Sequence, residues 1–429
     1  MTASTKPGKL AVRAYQVGFG DCLLLSFAYP DRERHVLVDF GSSGLPENAG
    51  AGLIKRVAND IADRCHGKLD AVVVSHRHLD HLSGFATSNN PKRPAPGDVI
   101  RSLRPAVVVQ PWTEDPDAAT DATKPTAILH RKLAFVAGLG AMQGFAESLL
   151  RELHLLRRTM GKRLADQLAF VGEQNLKNLP AVQNLMTMAQ DTQAYVHFGS
   201  RSGLESVLPG VKVRVLGPPT VEQSDEIRRE RDTDENEFWH LLGADGRAVA
   251  TRGHGTFRRA ASWPAGTVPR HARWFKRRLA AVRSDALLEL VRALDEAMNN
   301  TSVILLFEAG GKKFLFPGDA QIENWAYALS RPDVCQQLRD VLLYKVGHHG
   351  SLNATPKSLW ALFRNRSPSP RPGRLQTILS TKAGKHGSSQ NKTEVPRKPL
   401  VHELQSQSDL FTTQSLSAKT LYRDFEFEL

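Results

Sequence analysis

Three short apolar runs in this chain each stop at glycine, histidine or aspartate. AVVV (71–74) leads into SHRHLDH, KFLF (313–316) into PGDA, and VLLYKV (341–346) into GHHGS. Runs of this length, bounded by turn residues and free of helical spacing, are strands buried on both faces. Sites in open sheets gather where strands reach their carboxyl ends. A fold that satisfies all three runs must therefore bring several strand ends to one edge of a sheet.

The rest of the pattern fits that demand. LAVRAYQV (10–17), CLLLSFAY (22–29) and HVLVDFG (35–41) are separated by turns and read as a β-meander. Residues 49–65 carry apolar side chains at helical spacing (Leu53, Ile54, Val57, Ile61). From Pro125 to about Ala194 helix formers dominate, which predicts a helical insertion over 125–205. VKVRVLGPP marks a core strand in 206–221, and a basic insertion is expected over 222–298. Val303–Phe307, a Gly310-Gly311 turn and Lys313–Phe316 predict a hairpin. The two strand-rich portions, 1–124 and 299–363, suit two halves of one fold. Residues 364–429, with LQTILST inside them, are expected to be basic, partly flexible, and able to supply closing strands.

Bulk properties narrow the class. With 429 residues the chain exceeds one average domain, which suits a large domain carrying insertions. It is 41% hydrophobic and 24% charged, within the ordinary soluble globular range, and no apolar run approaches the ~18 residues a membrane span needs. The N-terminal stretch lacks the zones of a secretion signal, so a cytoplasmic location is expected. Cys22, Cys65 and Cys335 have no metal-type spacing and are expected to be small core residues. The formal charge of +13 points to an anionic partner.

The densest chemistry is HRHLDH at 76–81. An isolated histidine after a strand is ordinarily a satisfied surface or core residue, but His76, His78, Asp80 and His81 within six positions are the donor types that borderline divalent cations prefer. If the segment stays extended past Ser75, His76, His78 and Asp80 project together and His81 faces elsewhere. Asp319, His348 and His349 stand at two other strand ends and are candidates to complete the site.

These pieces resemble a known family. HRHLDH fits the HxHxDH signature of the metallo-β-lactamase superfamily. VGFGDC (17–22) resembles the VGxGDx opening of the hydrolase domain of bacterial competence-channel proteins. LVDFGSSG, NNTSVILLFEAGGKKFLFPGDA and YKVGHHGS resemble the motifs that follow it, in the same order and over about half the chain. The resemblance implies an αββα four-layer sandwich, interrupted here by the helical and basic insertions, with two metal ions at one edge. It implies that His76 and His78 hold one ion, that Asp80 and His81 hold the second, and that Asp319 bridges them. One of His348 and His349 would complete the second ion's shell and the other would contact substrate; the ligand list thus runs His76, His78, Asp80, His81, Asp319 and His349, with Asp80, His348 and His349 expected to act in catalysis. Asp21 and Asp39 would orient ligand histidines. Many superfamily members carry a further histidine ligand before the bridging aspartate; His197 and His254 lie in that interval, neither at a clear strand end.

Two ions a few ångströms apart supply hydrolytic chemistry suited to phosphodiesters. The polymer reading comes from Thr251–Arg283, with nine Lys or Arg, no acid, and aromatics between them. Arg258, Arg259, Arg273, Trp274, Lys276, Arg277 and Arg278 are expected to contact nucleic acid, basic groups on phosphate and rings on bases. Arg364–Lys398 adds nine more basic residues against Glu394 alone, and His386 and His402 stand where the sandwich should close. The sequence thus predicts a metal-dependent phosphodiesterase, a nuclease cleaving DNA or RNA, with zinc favoured and manganese next. The alternatives are a hydrolase of small phosphodiesters or other esters, and a non-catalytic subunit binding nucleic acid or a protein partner in a multi-subunit system.

Overall fold

The computed structural model describes residues 6–115 except 51 and 89, residues 179–224, 226, 234 and 236–239, and residues 298–387 and 393–429 except 418. The opening segments form β1 (Lys9–Tyr15), β2 (Cys22–Ala28) and β3 (Glu33–Phe40), an antiparallel meander. Helix α1 (Leu53–Arg64) then returns the chain to β4 (Ala71–Val73), which lies parallel to β3. A helical turn, α2 (Leu79–Leu82), and α3 (Pro96–Ser102) precede β5 (Val107–Pro111). Helix α4 (Leu179–Met186) leads to β6 (Thr192–Val196), parallel to β5.

That last strand corrects one boundary. Residues 192–196 fall inside the range expected to be a helical insertion, yet they are an edge strand of the first sheet. Their side chains are mostly half-exposed, so they never needed the apolar content by which buried strands announce themselves.

The second sheet repeats the plan. β7 (Lys212–Gly217), β8 (Ile304–Ala309) and β9 (Lys312–Phe316) run antiparallel, with the expected glycine turn between β8 and β9. α5 (Ile322–Leu329) and α6 (Pro332–Leu338) return the chain to β10 (Val341–Lys345), parallel to β9. α7 (Lys357–Leu362), β11 (Gln376–Leu379), α8 (Lys398–Gln407) and β12 (Asp409–Thr412) continue in the same sense. β13 (Tyr422–Glu428) crosses to the first sheet and pairs with β1 along its whole length. The first sheet therefore has seven strands in the order β13-β1-β2-β3-β4-β5-β6, and the second has six, β12-β11-β10-β9-β8-β7.

Alternation along each strand divides the apolar side chains between two sides. Leu23, Leu25 and Phe27 of β2, Val36 and Val38 of β3, and Val73 of β4 share one core with Leu305, Phe307, Phe314, Phe316 and Leu343 of the other sheet. Phe27 and Phe307 meet across it with ring centroids 6.2 Å apart. The opposite faces are covered by helices. Leu24, Leu37 and Val72 meet Leu53, Val57 and Ile61 of α1, while Leu306 and Leu315 meet Trp325, Leu338, Trp360 and Leu404. Each fully buried side chain of this size contributes about 1.5–3 kcal/mol. The result is a mixed α/β architecture compatible with the expected sandwich of two sheets between helices.

Arg13 fastens the closing strand. It hydrogen-bonds Asp60 of α1 and Asp424 of β13, each at 2.8 Å, and lies 3.4 Å over the Tyr422 ring. Cys22 and Cys65 are buried as expected, but Cys335 is only partly so, its Sγ 3.1 Å from the Leu329 carbonyl. Among the described residues no helix is long and apolar enough to cross a membrane.

Candidate metal centre

The ends of β4, β9 and β10 converge. His76, His81 and Asp319 form one group of candidate ligand atoms within 4.8 Å of one another, and Asp80, His81 and His349 form a second. All of these side chains are buried, His81 and His349 completely.

The local backbone explains the arrangement, and it overturns one expectation. β4 stops at Val73 and His78 opens the four-residue helix α2, so the segment is not extended through Asp80. A helical turn rotates successive side chains by about 100°, and His81 swings inward to become the centre of the cluster. His78 sits beside it, its Nδ1 2.8 Å from His76 Nε2, without joining either group. Gly318 makes room for the opposing strand end: at φ +56°, a Cβ there would lie 2.5 Å from that of Ser75. Gly41 does the same under α2, where a Cβ would meet the Asp80 carbonyl carbon at 2.5 Å.

Hydrogen bonds fix which imidazole nitrogen faces inward. Asp39 accepts the Ser75 N–H at 2.7 Å and its hydroxyl at 2.8 Å. With that hydroxyl committed as donor, it accepts from His76 Nδ1 at 3.1 Å, which makes His76 Nε2 the acceptor nitrogen, facing His78 Nδ1 at 2.8 Å. His81 Nδ1 donates to Asp39 at 2.9 Å and turns Nε2 toward Asp319 Oδ2, 3.0 Å away. His349 Nδ1 donates to the Ser380 carbonyl at 2.9 Å, which places Nε2 at 3.1 Å from Asp80 and 3.5 Å from Asp319. The Nε2 atoms of His81 and His349 thus point at the carboxylates of Asp80 and Asp319, with the His76 ring beside them.

The third group of candidate atoms, Asp21, Asp39 and His81, uses the other face of His81. Because Asp39 is occupied by Ser75 and by His81 Nδ1–H, this group orients the ring. Asp39, His348 and His349 all have positive φ (53°, 39° and 51°), a backbone state that costs each on the order of 1–3 kcal/mol and is held only where surroundings over-determine it.

Histidines 348 and 349 separate in space. His349 enters the cluster, whereas the half-exposed His348 ring has its centroid 6.3 Å from that of His349, and its backbone N–H donates to Asp319 Oδ1 at 3.0 Å. His197 bonds through Nδ1 to the Phe198 carbonyl at 3.0 Å and is absent from the groups. His386 lies over the rim of the cluster. Its ring packs at a tilt against Phe19, centroids 4.3 Å apart, and Phe19 packs at a tilt against His349 at 4.2 Å. His402 is exposed on α8. His254 and the expected nucleic-acid contacts Arg258, Arg259, Arg273, Trp274, Lys276, Arg277 and Arg278 lie outside the described residues.

Burial opposes charge on every one of these groups, so the surviving charges report the stronger neighbours. Burial, with His81 and His78 adding to it, keeps His76 neutral with its pKa well below the ordinary value. At His81 burial is outweighed by Asp319 and Asp39, and at His349 by Asp319 and Asp80; both are held above the ordinary imidazole range. Asp80 and Asp319 are held below the usual carboxylate range, burial again losing, to His349 and His81. Imidazole and carboxylate donors without thiolate suit zinc or manganese, so the residues present fit a divalent ion.

Sequence reasoning missed Lys345, which is buried at the end of β10 and ion-paired with Asp21. The one local trace is a lone charge closing an apolar strand, two residues before GHHGS; its partner Asp21 is far away in the chain. A scan against family models finds no match to this chain, and a search of curated proteins finds no relative.

Proposed function

We propose that this chain is a metal-dependent hydrolase of the metallo-β-lactamase type, that its substrate is a phosphodiester, and that the phosphodiester belongs to a nucleic acid. The observation that supports this best is the meeting of His76, Asp80 and His81 with Asp319 and His349 from two other strand ends, His81 and His349 presenting Nε2 to the carboxylates. His76 and Asp319 would hold one ion, with His78 adjoining, and Asp80 and His349 the other, with His81 between them. Bound divalent ions supply Lewis acidity, an activated water, and a clamp on the oxygens of an in-line displacement.

The protein's own residues do the positioning. Asp39 and Ser380 hold the His81 and His349 rings, and the His348 N–H holds Asp319. The half-exposed His348 side chain would meet substrate. The choice of an anionic substrate is supported by the rim, where the basic tail folds back. Lys382 donates to the Leu45 carbonyl at 2.7 Å, and Lys385 lies against Gly44, beside His386 and Phe19. Cations there attract phosphate, and the basic residues of 251–283 extend the same charge along the sequence.

The test is direct. Chain loaded with Zn2+ or Mn2+ is incubated with single-stranded DNA, RNA and bis-p-nitrophenyl phosphate. Cleavage of a polymer, lost in Asp319→Ala, is expected; cleavage of the small ester alone would move the assignment to small phosphodiesters, and none at all with intact metal binding would leave a binding subunit.

A further inference from the structure

Lys345 ends β10, a strand otherwise made of Val, Leu, Leu and Tyr. Alternation sends it to the face that Leu343 takes, between the sheets, but at the edge where the ligands gather. Its side chain is 2% exposed, and those of its two acidic neighbours, Asp21 and Asp319, are 1% and 2% exposed. The ammonium pairs with Asp21 and lies 4.0 Å from Asp319 Oδ1. Asp21 Oδ2 is 3.6 Å from His81 Nδ1, and His81 Nε2 is 3.0 Å from Asp319 Oδ2. Lys345, Asp21, His81 and Asp319 therefore close a ring in which each carboxylate lies between the ammonium and the imidazole.

The two carboxylates in contact with His81 Nδ1 are compensated differently. Asp39 has the hydrogen bonds of Ser75, whereas the Asp21 carboxylate has the Lys345 ammonium as its direct partner. An ionised carboxylate this far from water requires a counter-charge. Lys345 provides it. The same ammonium faces Asp319 Oδ1, which the His348 N–H already engages, so Oδ2 is the oxygen left to the imidazoles of His81 and His349.

We propose that Lys345 is the resident cation of the centre: it occupies the seat between Asp21 and Asp319 that a further ion would otherwise take, and so fixes how many divalent ions the cluster accepts. This rests on reading the cluster as a metal centre. It makes Lys345 a positioning residue, acting on the ions through Asp21 and Asp319.

The test uses full-length parent, Lys345→Ala, Lys345→Met and Lys345→Arg chains. Zn2+ or Mn2+ per chain is counted after gel filtration, and melting is followed in methylammonium chloride against tetramethylammonium chloride at equal ionic strength. Lys345→Ala is expected to carry one more ion than the parent, while Lys345→Arg and Lys345→Met, whose side chains fill the seat, carry the parental number. Methylammonium, small enough for the seat, is expected to raise the melting temperature of Lys345→Ala by about 2–4 °C over tetramethylammonium, and that of the parent not at all. A folded Lys345→Ala with parental ion count and no preference for methylammonium overturns the proposal. If that variant folds only when methylammonium or a divalent ion is supplied, the proposal stands; if neither restores it while Lys345→Met folds normally, the proposal falls. A parent that binds no divalent ion refutes the metal reading instead, and the methylammonium melts still decide the seat of Lys345.

Discussion

The two sheets share a plan and divide the work unequally. Each starts as an antiparallel meander and continues in parallel, and each delivers side chains from strand ends to the same edge. The first contributes His76, His78, Asp80 and His81 from one strand end, so their mutual placement is set by a few backbone angles. The second contributes Asp319 and His349 from two strands, with Lys345 between them in the chain, so their placement depends on sheet register. Local geometry makes half of the centre; tertiary convergence makes the rest.

That division can be broken experimentally. The largest effect is expected at the residue where both halves meet. If the chain is the metal-dependent phosphodiesterase proposed above, Asp319→Ala should lower kcat/KM on a phosphodiester by about 10³-fold, the several kcal/mol that metal charge stabilisation supplies, with the far-ultraviolet spectrum unchanged. A loss no greater than tenfold would show that the second half is dispensable.

The next effect belongs to the first half alone. His35 on β3 is buried beside Ser26, and burial lowers its pKa from 6.5 to about 4. The folded state thus binds the proton less readily than the unfolded one. Its stabilising contribution is complete above pH 6.5 and is lost as pH falls toward 4, a change of roughly 3 kcal/mol. Urea midpoints across that window should fall with pH in the parent and less steeply in His35→Gln; parallel slopes would refute the assignment.

The smallest effect tests whether the ring orientation at His81 matters as much as the ligands. Asp39→Asn keeps the shape but weakens the hold on Nδ1–H and should reduce divalent-ion affinity about 10- to 100-fold by calorimetric titration. An unchanged affinity would mean that α2 alone positions His81.

The same contrast governs what the sequence revealed. The strands of both sheets were legible because buried strands need unbroken apolar runs, and His76, Asp80, His81, Asp319 and His349 stood at their ends. The inward turn of His81 was not legible, because it depends on the chain becoming helical at Leu79 rather than staying extended. β6 was hidden for the opposite reason to β4: an edge strand with half-exposed Gln193 and Tyr195 carries no apolar run. Lys345 required knowing that Asp21, 324 positions earlier, would lie against it, which no local pattern encodes.

β13 closes the first sheet against β1, matching Lys9 to Glu428 and Tyr15 to Tyr422. For a flexible chain the entropy of bringing two segments together grows only with the logarithm of the contour between them, about 0.6 kcal/mol for each doubling. Extra sequence added between these two strands is therefore thermodynamically cheap. The cost appears as time, since a pairing between such distant residues forms slowly and late. This architecture can lengthen between its first and last strands while β1 stays an interior strand.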